Sequence, residues 1–96
     1  MAVNHMVWIK FKPDVSVATI ASILAGLKAL ETEVPGIKSL TMGSNFTDRA
    51  QGYTHGMMVI LKDKDALPAY QTHPAHAAAG GRLREHADIL AMDYEF

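Results

Sequence analysis

The chain has 96 residues, enough to build one core and too few for a second. Nine Lys and Arg stand against ten Asp and Glu, a formal net charge of −1, which excludes the basic field needed to hold nucleic acid or an anionic membrane surface. There is no cysteine, so disulfides, thiolate metal sites and a cysteine nucleophile are excluded together.

From Val3 to Lys12 the residues are β-formers, and Pro13-Asp14 ends the run, which predicts a strand. Ser16 caps a predicted helix whose apolar positions Ile20, Ile23, Leu24, Leu27 and Leu30 follow the helical period, and Pro35-Gly36 stops it. Ile37 to Phe46 and Tyr53 to Lys62 are predicted strands, joined by the polar stretch from Thr47 to Gly52. Asp63 to Thr72 is a short helix if Pro68 falls in its first turn; Pro74 opens another helix to about His86, and Ile89 to Phe96 is a closing strand. This order predicts an α+β, ferredoxin-like βαββαβ chain over 1–96, a four-stranded antiparallel sheet with helices on one face.

Strand alternation places Val3, His5, Val7, Ile9 and Phe11 on one face of the first strand, and Met6 and Trp8 on the other. In the third strand His55, Met57, Val59 and Leu61 oppose Met58 and Ile60. Helices cover only one face, so Met6, Trp8, Met58 and Ile60 form an apolar patch of the kind that marks an interface. A homodimer with its sheets packed face to face, a dimeric α/β barrel, is expected. The N-terminal stretch lacks the pattern of a secretory leader and no apolar run reaches the roughly 18 residues of a membrane span, so the expected location is the cytoplasm.

Five histidines carry the chemistry. His5 and His55 interrupt apolar rows and need partners, because a buried unpaired polar group costs about 1–3 kcal/mol. In the run AYQTHPAH, Pro74 biases His73 away from the helix and suits the first helical position itself. That places His76 in a first turn, where the positive end of the helix dipole keeps an imidazole neutral, with Tyr70 nearby as a donor. Ala77, Ala78, Ala79, Gly80 and Gly81 leave space beside it. Such residues suit either satisfied structural histidines or a pocket that takes a proton from carbon next to a carbonyl. His73 and His76 have metal-like spacing, but the proline between them spoils the geometry and no acidic ligand has a matching position, so no metal is expected. His86 suits a helix C-terminus. Gly80-Gly81 lies in no phosphate loop.

The opening MAVNHMVWIKFK, the segment GYTH, the run AYQTHPAH and the closing MDYEF resemble the stress-responsive dimeric α/β-barrel (Dabb) family over essentially the whole chain. The resemblance implies a dimer around a central barrel. Through the polyketide cyclase in that family, it also implies a cofactor-independent intramolecular aldol cyclisation. His76 would be the general base and Tyr70 its partner; His5, His55 and His73 would border the substrate, with Val7, Ile23, Leu27 and Met57 as apolar wall. The implied ligand is a small hydrophobic polyketide-like molecule. The alternatives are a non-catalytic stress-response dimer that binds a small ligand, and a cofactor-free oxygenase of the kind found among related dimeric barrels.

Overall fold

In the computed structural model, which describes residues 1–96, the elements in chain order are β1 (Val3–Phe11), α1 (Val17–Glu33), β2 (Ile37–Ser44), β3 (His55–Leu61), α2 (Ala66–Thr72), α3 (Pro74–His86) and β4 (Ala87–Glu95). The strands form one antiparallel sheet in the order β2-β3-β1-β4. This is the ferredoxin-like βαββαβ plan.

Local chemistry explains where the elements begin and end. Ser16 accepts a hydrogen bond from the Thr19 amide at 3.1 Å and so caps α1. The chain then turns through Gly36, whose φ of 91° lies in the left-handed region that glycine adopts without steric cost. β3 starts at His55 and not at Tyr53, because Gln51 and Gly52 both take positive φ and the Tyr53 amide closes a turn onto Ala50 O. α2 starts at Ala66 and not at Asp63, because the Asp63 carboxylate accepts from the Ala66 amide and holds a turn ahead of the helix. β4 follows α3 with no loop, two residues earlier than expected.

The alternation of β1 is carried through fully. Val3, His5, Val7, Ile9 and Phe11 are all buried on the helix side, with Met57, Val59 and Leu61 of β3 on the same face. Ile23, Leu27 and Leu30 of α1 and Leu83 of α3 close over them. Each such side chain contributes about 1.5–3 kcal/mol by leaving water, so these contacts decide where the helices sit. The edge strand β2 is tied down by α1: the Leu40 amide donates to Glu31, and the Lys28 ammonium donates to the Leu40 carbonyl. Lys28 also donates to the Glu31 carboxylate at 2.8 Å, and that bond first and the Leu40 amide second hold the Glu31 carboxyl below its usual range.

The other face of the sheet is apolar and open. Met6 lies between Met58 of β3 and Met92 of β4, and Trp8 between Gly56 and Leu90. Trp8 is 44%, Leu90 53% and Met92 65% exposed. No helix is long and apolar enough to cross a membrane.

Candidate active site

The break at Pro74 organises the site. His73 is extended and its Nδ1 accepts from the Ala75 amide at 3.1 Å, making it the N-cap of α3, with Pro74 in the first turn. Capping uses that nitrogen, so His73 positions the helix rather than facing the cavity described below. His76 follows within the first turn, and its Nδ1 lies 3.1 Å from the Gln71 carbonyl oxygen. A carbonyl only accepts, so Nδ1 carries the proton and, in the neutral ring, Nε2 holds the free lone pair. Burial is the main cause that holds the His76 pKa below its ordinary value; the charges of Arg84 and His5 act the same way, and the Gln71 carbonyl opposes them.

The lone pair opens onto a cavity of about 200 Å³ beneath the helices, lined by His5, Val7, Leu27, Met57, Gln71, His76, Gly80, Leu83, Arg84, Ile89 and Ala91. Gly80 supplies the space beside the base: a Cβ there would stand 3.4 Å from His76 Cε1 and 3.6 Å from Nε2. Ala77, Ala78, Ala79 and Gly81 do not line it. His5 enters from β1, 6% exposed, and its Nδ1 donates to the Asp93 carboxylate of β4 at 2.5 Å. The carboxylate fixes the ring and turns the other nitrogen, Nε2, away from itself.

Tyr70 is wholly buried behind this wall, packed between the two imidazoles, with ring centroids 4.3 Å from His76 and 5.5 Å from His5. Its hydroxyl finds no hydrogen-bond partner in the chain, and burial pushes its pKa up to about 12. The phenol therefore stays protonated at neutral pH and keeps its donor capacity unspent.

The structure thus brings His5, Val7, Leu27, Met57 and His76 onto one cavity with Tyr70 packed behind its wall, and places His73, Ile23 and His55 elsewhere. His73 caps α3. Ile23 belongs to the core and does not line the cavity. His55, on the same face of the sheet but at its far end, lies edge-on to Phe11 and 2.9 Å from Thr54 Oγ1, beside a surface groove bordered by Trp8, Phe46, Arg49 and Tyr53. Burial lowers its pKa as well. Asp93 and Arg84 were not singled out from the sequence, although both carry signals there. Asp93 interrupts an apolar closing strand opposite His5, and Arg84 stands eight positions after His76 on the same helix face. The Gln71 contact is made by backbone and leaves no signal in residue type.

This geometry can be set beside known proteins. The family model of the stress responsive A/B barrel domain, Dabb, matches residues 3–96. Olivetolic acid cyclase of Cannabis sativa is 29% identical over 97 residues, covering 98% of this chain and 96% of the cyclase. A stress-response A/B barrel domain-containing protein of Arabidopsis thaliana is 33% identical over 95% of this chain and 83% of its own length. Among solved structures, a dimeric ferredoxin-like protein of unknown function from Jannaschia sp. CCS1 superposes with a TM-score of 0.87 at 30% identity, covering 100% of both chains. With the fold, the family model and relatives over nearly the whole length in agreement, this chain belongs to the Dabb family of stress responsive A/B barrel domains.

Proposed function

We propose that the protein is a cofactor-independent enzyme of the polyketide cyclase type, working as a homodimer. The observation that carries this reading is the His76 Nε2 lone pair, kept neutral by burial and aimed by the Gln71 carbonyl into a cavity it shares with His5. Nε2 removes a proton from carbon between two carbonyl groups, and the electron pair left behind is held as an enolate. The enolate carbon attacks a second carbonyl of the same chain, a C–C bond forms, and the new alkoxide takes the proton back from His76. Tyr70, packed against the His76 ring, holds its orientation; His5, oriented by Asp93, binds a carbonyl oxygen and steadies the oxyanion that develops on it. Likeness to olivetolic acid cyclase supports this class of reaction. The dimeric state of the Jannaschia relative supports a pair of subunits packed through Met6, Trp8, Met58 and Ile60, extended by Leu90 and Met92.

The test is turnover of linear polyketides, offered both as thioesters and as free acids, by the wild type and by His76→Ala and Tyr70→Phe variants that stay folded and dimeric. Loss of about 10²–10⁴-fold in kcat/KM for His76→Ala supports a general base, whereas turnover at the wild-type rate sinks the reading. A second reading, a non-catalytic stress-response dimer that only holds a small ligand, is favoured by the burial of Tyr70 behind the cavity wall. It predicts binding without product, and only a modest change of affinity in His76→Ala.

A further inference from the structure

We infer that Arg84 is the anchor for a carboxylate on the substrate, so that the molecule delivered to His76 is an organic acid. The inference rests on the proposed function of this cavity and adds the class of substrate to it.

Three observations on α3 carry it. Arg84 follows Gly80 by four residues and His76 by eight, so the three share one face of the helix, and all three line the cavity. A Cβ built on Gly80 would stand 3.6 Å from both Arg84 Nη1 and His76 Nε2, so the guanidinium and the base flank the same bare stretch of helix. A group packed over Gly80 lies between the two. Arg84 also makes no ion pair within the chain, whose ion pairs are His5 with Asp93, Lys28 with Glu31 and Lys64 with Glu95. No carboxylate lines the cavity, and Arg84 is the one permanent cation among its lining residues.

A guanidinium presents a planar fork of N–H donors that matches the two oxygens of a carboxylate. Held there, an acid with a carbonyl or enol two carbons from its carboxyl group would place the carbon between them at the base. The arrangement also couples binding to basicity. The unpaired Arg84 charge disfavours a proton on His76, and a bound carboxylate cancels that charge, so the imidazole becomes the stronger base only when the acid is in place. Arg84 in the last turn of α3 complements the helix dipole too, which is a role in stability and not in recognition.

The probes are salicylate, an aromatic acid with an enol-like hydroxyl two carbons from its carboxyl group, its neutral methyl ester, and coenzyme A as a source of phosphate. Binding is read by NMR titration of the His5 and His76 side chains. Salicylate is expected to bind the wild type roughly tenfold or more tightly than methyl salicylate. Arg84→Gln should abolish that preference, and Arg84→Lys should restore part of it. A purely helix-stabilising arginine would move the melting temperature and leave the preference intact. The inference is overturned if salicylate does not bind, if acid and ester bind equally, if Arg84→Gln keeps the preference, or if only coenzyme A binds in an Arg84-dependent way. None of these outcomes touches the His76 turnover test, so the anchor can fail while the base stands.

Discussion

His76 shows how a backbone carbonyl sets the chemistry of a side chain. Because Gln71 O accepts from Nδ1, the ring can present only Nε2 to a substrate, and the lowered pKa keeps that nitrogen unprotonated at neutral pH. Turnover should fall as the pH drops through the depressed pKa of His76, below the ordinary histidine value of about 6.5. A kcat/KM profile that shows no acid limb over the whole pH range in which the protein stays folded would contradict this. The same depression has a sign in stability. His55 and His76 both bind protons less readily folded than unfolded, so stability is complete above the unfolded value and is lost as pH falls from about 6.5 toward the folded values. Urea midpoints at about pH 7.5 and about pH 5.5 should differ in that direction, and His76→Gln should shrink the difference.

At the scale of elements, α3 combines a helix with a site, and the two make opposite demands on Gly80. Alanine there would favour the helix by up to about 1 kcal/mol, and its methyl would make only ordinary contacts at 3.4–3.6 Å. That methyl occupies the space beside the base, however. Gly80→Ala is therefore expected to raise the melting temperature while lowering turnover and salicylate affinity; a variant improved in both would remove Gly80 from the site. In α1 no such conflict arises. Ser16→Ala should cost about 1 kcal/mol through the lost cap, and Leu30→Ala about 2–5 kcal/mol through a cavity in the core. Denaturant titration checks both, and neither residue lines the His76 cavity.

For the whole molecule, the decisive feature is that the sheet is apolar on both faces and the helices cover one. Replacing Met6 and Met58, which pair across β1 and β3, by glutamate puts two carboxylates at the middle of the open face. The double variant is expected to sediment as a monomer where the wild type sediments as a dimer. A dimeric double variant would move the interface elsewhere.

Much of this was legible in the residues alone. Alternation in β1, the helical period from Ile20 to Leu30 and the punctuation at Pro35-Gly36 and Pro74 are local patterns, and they determined the order of elements, the buried face and the position of His76 at a helix start. Motif likeness across MAVNHMVWIKFK, GYTH, AYQTHPAH and MDYEF determined the family. Which polar residues meet was decided only by tertiary structure, because it depends on strand order and on how far along the sheet each residue lies. β1 lies between β3 and β4, so His5 gains Asp93 as a partner across the sheet, while His55 is carried to the far end beside Phe11. The helix path then turns Gly80 and Arg84, rather than the alanines, toward the base.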